Sequence, residues 1–464
     1  MDSQNKKIFP YKNPFKYGIF GPAIILLAFG QATGELIHWP YLIITYGLFF
    51  LFLLIPASLI QYPTFVFLAR HTLLSGESHL LILSKINKLY GVLSWIIFII
   101  TSMWIASYTA SGGIVFAKLC TVLTGNPVDL ATFGKYSALI MNSIFFIILI
   151  SLPKTYGFIK RSMGTVAVLS LVVISILFII TISNKGFDSS FFTAIFDIKF
   201  SMPSNWEDKD LKLLLTAIIF TGLGGLWNIL YSVWLAQEGM GMSKISRSDY
   251  SAQCKNIPEV SESKESISNY TKSISLLKKD LWIGIFSNSV MILMITYIVY
   301  VSFPKDMQPP IGLGIITSLG DSVSYDSTII ASIFYIFVGL FLIDTWATAA
   351  DSLSKLHSNM VIHLFKSTKY KSDEDRAKIL YFMFLIFMLV MTFVSSFLAR
   401  PEQLNYLNGV LSIFGAFILI IGILIIENYY VKKLPKFPKH KIVKFFLIVT
   451  LLIYFTIGAM YTLV

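Results

Sequence analysis

Gln31-Ala32-Thr33-Gly34-Glu35 sets a carboxylate and a glycine inside an apolar segment that otherwise runs from Gly18 to Tyr46. At mid-membrane depth a carboxylate costs roughly 2.5 kcal/mol or more, which makes it a functional-site candidate by default. Gly34 beside it predicts a broken helix, whose freed backbone groups can bind a solute or an ion. Thr221-Gly222-Leu223-Gly224-Gly225 interrupts the sixth apolar segment in the same way. Two interrupted segments at matching places in two halves of a chain are the sequence sign of a secondary transporter.

The 464 residues are 55% hydrophobic and 13% charged, with mean hydropathy +0.72. Soluble domains carry about 25% charge, so the reading is an all-α polytopic membrane protein in the cell membrane. Eleven spans are expected: Gly18–Tyr46, Leu48–Ala69, Tyr90–Val122, Tyr136–Leu152, Met163–Ile182, Leu213–Ala236, Leu281–Val301, Ser327–Leu353, Ile379–Leu398, Leu407–Ile426 and Phe445–Leu463. They divide as five, five and one, and the first span of each five is the broken one. Repeats with an odd number of spans lie in the membrane with opposite orientation. The single domain, residues 1–464, therefore reads as one inverted repeat over 18–182, a second over 213–426 and an extra helix at 445–463. The polar stretch 237–280 reads as a cytoplasmic loop with at most short surface helices, and Ser183 to Lys212 as an outer loop that either packs or forms a lid.

The formal charge of +12 does not point to nucleic acid. With the N-terminus inside, most of the 37 Lys and Arg fall in cytoplasmic segments, which predicts N-terminus in and C-terminus out, with part of the basic residues on anionic lipid. No cleavable signal is expected at the N-terminus. Cys120 and Cys254 are placed too differently to pair. No cofactor motif, GxxxxGK[ST] loop, hydrolytic triad or HExxH pattern is present, so an enzyme or ATP-driven pump is not expected.

The candidate substrate-binding residues are Gln31, Ala32, Thr33, Gly34, Glu35, Thr221, Gly222, Gly224, Gly225, Trp227 and Asn228. Glu35 falls in the first turn of a resumed half-helix, where the positive dipole end favours a carboxylate; it either holds a hard cation or proton, or caps that half-helix. His38 follows at i+3, a spacing that can hold a metal and more often holds a structural histidine. Thr221 to Gly225 either unwind to face a ligand or pack tightly against a neighbouring helix. Ser107 and Thr109 either line a wet path or bond between helices. Asp344 lies deep and needs a partner or water, and Asp351 lies near the inner end of its span, where interfacial solvation is an ordinary explanation; either is a candidate for coupling, as His38, Ser107 and Thr109 are for coupling or the pathway, whereas Glu427 at the cytoplasmic edge reads as interfacial only.

At these residues the chain resembles a divergent branch of the Nramp family of metal-ion transporters. Gly21-Pro22-Ala23 is similar to that family's opening of helix one. Without gaps, its Asp-Pro-Gly-Asn motif falls on Ala32 to Glu35, and its Met-Pro-His-Asn motif falls on Gly225 to Asn228. The divergent branch has Gly-Glu followed by Trp-Pro, matched by Gly34-Glu35 and Trp39-Pro40. It also has Gly-x-Gly-Gly-x-x-Asn, matched by Gly222 to Asn228, and an Asp in helix eight, matched by Asp351. Tyr46-Gly47 and Gln61 fit as well. The resemblance implies an inverted-repeat transporter carrying a divalent metal cation, with Glu35 as its anionic ligand. The family's Asp and soft Met sulfur are replaced here, and its helix-three acids fall on Ser107 or Thr109, so its metal selectivity and proton route do not carry over. A small organic solute, such as an amino acid or amine, is the alternative cargo.

Overall fold

The computed structural model describes residues 6–15, 21–30, 34–152, 155–246, 259–304, 308–310, 312–325, 327–365, 372–398 and 401–463. The expectations on Gln31, Ala32, Thr33 and Cys254 therefore lie outside the described residues. Apart from one bridge between Lys7 and Val260, every regular element described is a helix. They are α1 (Ala23–Gly30), α2 (Trp39–Tyr46), α3 (Leu51–Ser75), α4 (His79–Ile86), α5 (Lys88–Thr124), α6 (Leu130–Ser151), α7 (Thr155–Lys185), α8 (Ser189–Ala194), α9 (Leu211–Ile219), α10 (Leu230–Glu238), α11 (Lys264–Ser302), α12 (Gly314–Ser324), α13 (Thr328–Leu364), α14 (Asp373–Leu398), α15 (Pro401–Lys433) and α16 (Lys441–Leu463).

Among the described residues nine of these helices are long and apolar enough to cross a membrane. The two interrupted segments, α1 with α2 and α9 with α10, consist of helices of eight or nine residues. None of these half-helices is long enough to span ~30 Å at 1.5 Å per residue. Side chains such as Ile140, Ile144 and Ile147 on α6 are exposed at helical spacing. Such a face is stable against acyl chains and not against water.

Two apolar clusters fill the interior. One gathers α1, α10, the first part of α11 and the second half of α13; the other gathers α2, the last part of α11 from Met291 to Val299 and the first half of α13. The helix breaks lie where these clusters meet. Gly222, Gly224 and Gly225 adopt φ of +108°, +79° and +49°, a region where only glycine is free of steric cost. On the first segment, the backbone resumes as a π-helical turn over Gly34–His38 before α2. Such turns are rare and cluster at functional sites.

The expected loop 237–280 is corrected at its second half. Helix α11 begins at Lys264 and is 39 residues long, so at ~1.5 Å per residue it projects well beyond ~30 Å of hydrocarbon. Its N-cap Ser263 accepts from the N–H of Ser266, and Asn269 and Ser266 bind the backbone of Phe9. The loop between Ser183 and Lys212 is anchored in part: Phe191 of α8 meets Tyr297 edge to face and Trp206 lies against Tyr46 and Phe50, while Phe196, Ile198 and Phe200 between them are exposed.

The start of α1 is held from α11. The Asp280 carboxylate accepts from the N–H groups of Gly21 (2.7 Å) and Ala23 (2.9 Å), satisfying donors that a helix N-terminus leaves free. Asp280→Ala is expected to lower stability by about 1–2 kcal/mol, with Asp280→Asn in between, as read by thermal unfolding in detergent.

Candidate functional site

The two breaks touch each other. A Cβ built on Gly30, the last residue of α1, would lie 3.2 Å from Cα of Gly222. Glu35 spans this junction with its side chain fully buried. Its Oε1 accepts from the Gly222 N–H at 3.0 Å and from Asn288 Nδ2 of α11 at 3.5 Å. Two further bonds fix the register: Trp39 Nε1 donates to Thr221 Oγ1 at 2.8 Å, and Gln61 Nε2 of α3 donates to the Thr221 carbonyl at 2.5 Å. The carbonyl freed by the second break is thus already engaged on one side.

Beside this junction lies a cavity of about 20 Å³ lined by Leu26, Ser58, Gln61, Phe65, Thr221, Gly222, Leu223, Gly284, Ile285 and Asn288. Its size suits one ion or one water. Gln61 and Asn288 each spend an NH₂ donor on an acceptor that cannot itself donate, a carbonyl and a carboxylate. Their amide orientations are thereby set, and Gln61 Oε1 and Asn288 Oδ1 are left as acceptors. Both atoms, and Ser58 Oγ, are buried without a hydrogen-bond partner among the described residues. Three residues that line one small cavity next to a carboxylate thus each keep an oxygen unmatched, and a water or an ion in that space would satisfy them, since a buried acceptor left unmatched costs roughly 1–3 kcal/mol.

The other expected residues distribute around this centre. Trp227 and Asn228 do not line the cavity. Trp227 Nε1 donates to Asn408 Oδ1 of α15 at 2.9 Å, and Asn408 Nδ2 donates to Tyr108 OH at 3.3 Å. Phe29, Phe98 and Tyr108 surround the Trp227 ring at centroid distances of 5.8–6.4 Å. Asn228 Oδ1 is buried without a partner among the described residues. Gly224 and Gly225 pack against Phe220 and the Ser412 carbonyl. His38 stacks on Phe220 at 6.4 Å with neither ring nitrogen bonded. Thr109 Oγ1 accepts from Asn142 of α6 at 3.1 Å, and Ser107 Oγ is buried without a partner among the described residues.

Two acidic residues differ from expectation. Asp351 is not solvated at an interface: it is 1% exposed, paired with Lys355 at 2.7 Å and bonded by Tyr381 at 2.9 Å. Glu427 is likewise fully buried. Its Oε2 pairs with Arg70 Nε at 2.7 Å and meets His71 Nε2 at 3.3 Å. Both partners of Glu427 come from the end of α3, which no spacing rule links to α15. Asn288, Asn408 and Ser58 were not read from the sequence as site residues. The available signal was a lone amide or hydroxyl within an apolar run, which at this depth needs a partner.

A second, larger space of about 580 Å³ opens on the face that carries the N-terminal segment. Its wall includes Glu77, Thr155, Gln237, Lys355 and Tyr381. Burial pushes the Glu77 carboxyl up to about 7, against the opposite pull of Lys85, whose Nζ lies 2.5 Å away. None of Glu35, Gln61, Asn288 or Trp227 lines this vestibule.

No protein-family model and no curated protein matches the sequence. The fold does match solved membrane transporters. A variant of the manganese transporter of Eremococcus coleocola superposes with TM-score 0.63 at 15% identity, over 94% of this chain and 84% of that one. Mhp1, a nucleobase-cation-symport-1 family transporter in a closed conformation with bromovinylhydantoin bound, gives TM-score 0.58 at 13% identity, over 97% and 95%. MhsT in complex with L-phenylalanine gives 0.52 at 13%, over 94% and 98%. The chain thus has the all-helical fold shared by these secondary transporters, with two broken helices, and is a multi-pass membrane protein. The likeness covers metal and organic-solute transporters alike and singles out no one branch.

Proposed function

We propose that this protein is a secondary transporter of a small inorganic cation, with a divalent metal ion of hard character, such as Mg²⁺ or Mn²⁺, as its cargo. The observation that carries the reading is the small cavity beside Glu35, three of whose lining residues, Ser58, Gln61 and Asn288, each keep a side-chain oxygen buried and unmatched among the described residues. Hard divalent cations take six or more oxygen ligands, waters included. The cavity wall offers no thioether, the ligand type that selects softer ions. Among the described residues no group of three or more His, Cys, Asp or Glu gathers, so one carboxylate with neutral oxygens is the ligand set. Such a set binds weakly enough to release its cargo. The half-helices α1 and α10 would move against α13 to open the junction alternately to either face. The face with the vestibule is taken as cytoplasmic, because the N-terminal lysines lie there.

Uptake of ⁵⁴Mn²⁺ into proteoliposomes tests this. Wild-type protein is expected to give saturable uptake, Glu35→Ala to abolish it, and Asn288→Ala to raise KM about tenfold or more, the equivalent of ~1.4 kcal/mol of lost binding. Unchanged saturable uptake by Glu35→Ala removes Glu35 from this role.

A second reading, transport of a small organic amine, is favoured by one observation. Phe29, Phe98 and Tyr108 surround Trp227 in the fully buried centre, and aromatic faces attract organic cations. Thermal-shift measurements against a metal panel and an amine panel separate the two readings.

A further inference from the structure

Asp344 stands apart from both the cavity and the vestibule. It lies near the middle of the 37-residue helix α13, is 4% exposed, and its Oδ2 is buried with no hydrogen-bond partner among the described residues. No ion pair to it is formed among those residues. A carboxylate with one oxygen left unmatched at such a depth is costly as a bare ion, and either a proton or a cation would stabilise it. The surroundings decide between them. Its helix neighbours Phe341, Leu342 and Ile343 are apolar, the Thr345 hydroxyl donates to the Phe341 carbonyl, and the Thr348 hydroxyl meets Met163 Sδ. Too few free oxygens remain to coordinate a hard cation.

Charged groups on the packed helices are engaged elsewhere or lie at helix ends. Lys118 of α5 pairs with Asp321, Lys160 of α7 with Glu238, and Lys85 of α4 with Glu77. The acids and bases of α14 lie at its vestibule end, from Asp373 to Lys378. Glu35 is bonded to Gly222, and the Tyr108 hydroxyl to Asn408.

Asp344, Thr348, Asp351 and Lys355 follow one another at i, i+4, i+7 and i+11, a single face of α13. That face meets α7: Thr348 contacts Met163, and Lys355 Nζ reaches Thr155 Oγ1 at 2.7 Å as well as Asp351 and Gln237 of α10. Lys355, Thr155 and Gln237 all line the vestibule. A polar stripe therefore runs along α13 from mid-membrane to the vestibule in steps of three or four residues, about one helical turn each, a spacing that a bridging water can close.

We propose that Asp344 is a proton-binding site that exchanges with the vestibule along this stripe, and that it is where a coupling proton is carried. The role in coupling rests on the transporter reading; the exchangeable proton does not. On loading, a proton moves from vestibule water by way of Asp351 and the Thr348 hydroxyl to the Asp344 carboxylate, giving the neutral acid. Release reverses each step.

Infrared spectroscopy of the purified protein in nanodiscs tests this without any cargo. Wild type is expected to show a protonated-carboxyl C=O band near neutral pH that Asp344→Asn removes and that shifts promptly in D₂O. Asp344→Glu is expected to restore a displaced band, which keeps the assignment secure should Asp344→Asn fold poorly. Thr348→Val is expected to keep the band but slow its exchange about tenfold or more, equivalent to ~1.4 kcal/mol on the barrier. No band attributable to Asp344, a band that never exchanges, or exchange unaffected by Thr348→Val overturns the proposal. Loss of ⁵⁴Mn²⁺ uptake in any variant with these spectra unchanged bears on the cargo reading alone.

Discussion

Arg70→Met is expected to cost about 3–5 kcal/mol of stability, because it strands a buried carboxylate. Arg70 is fully buried, and its guanidinium joins four parts of the chain. Nε pairs with Glu427 of α15 at 2.7 Å, while Nη1 donates to Tyr270 OH of α11 at 2.8 Å and to the Pro438 carbonyl at 2.7 Å. Tyr270 OH in turn lies 3.1 Å from His440 Nε2, just before α16. The pair's net worth is smaller than the cost of breaking it, since desolvation offsets most of the attraction. A double variant, Arg70→Met with Glu427→Leu, should therefore recover most of the loss. Thermal unfolding in detergent of wild type, both single variants and the double variant forms a complete cycle. A double variant as unstable as Arg70→Met alone would show that the cost lies in packing and not in the stranded charge.

Gly225→Ala is the second change expected to have a large effect. Gly225 holds φ +49°, and a Cβ there would sit 2.2 Å from the Ser412 carbonyl oxygen and 2.7 Å from its carbon. Neither atom belongs to a side chain that could rotate away, so α15 or the break itself must shift. A left-handed conformation costs ~1–2 kcal/mol for a non-glycine residue, and overpacking adds ~1–3 kcal/mol or more. The variant is expected to lose most of its monodisperse folded yield in size-exclusion chromatography. Gly157→Ala in α7 is the matched control: no atom lies within 4 Å of its would-be Cβ. There alanine should be neutral or stabilise by ~0.5–1 kcal/mol. Equal yields for the two variants would mean that the close approach of the second break to α15 is not a constraint on the fold.

The parts of the molecule legible in the sequence are those that violate a local rule. Glycines and a carboxylate in apolar runs marked both breaks, because each is costly where it stands unless the helix stops. The apolar runs likewise marked the membrane helices. What was not legible depends on pairings between distant segments. Glu427 reads as an edge residue on its own helix and becomes a buried ion only when Arg70, 357 positions away, is brought to it. Asp351 is similar, its burial arising from Tyr381 and Lys355 closing over it. The start of α11 is not legible in the sequence because its first turns, from Lys264 to Asp280, are mostly polar, with Tyr270, Ile274 and Leu277 the buried exceptions. A polar helix held by the N-terminal segment looks like a loop until that partner is known. At the site, Glu35 stood out by its charge, while Ser58 and Asn288, neutral and single, gained meaning only when folding brought them to the wall of one cavity beside Gln61.

The central claim is that a hard cation occupies the junction of the two breaks. Anomalous diffraction from crystals soaked in Mn²⁺ tests it most directly. A peak is predicted in the cavity lined by Ser58, Gln61, Gly222 and Asn288, beside Glu35, and absent from Glu35→Ala crystals treated alike. A saturating soak that leaves this cavity without a peak, or places the ion in the vestibule beside Glu77, would contradict it.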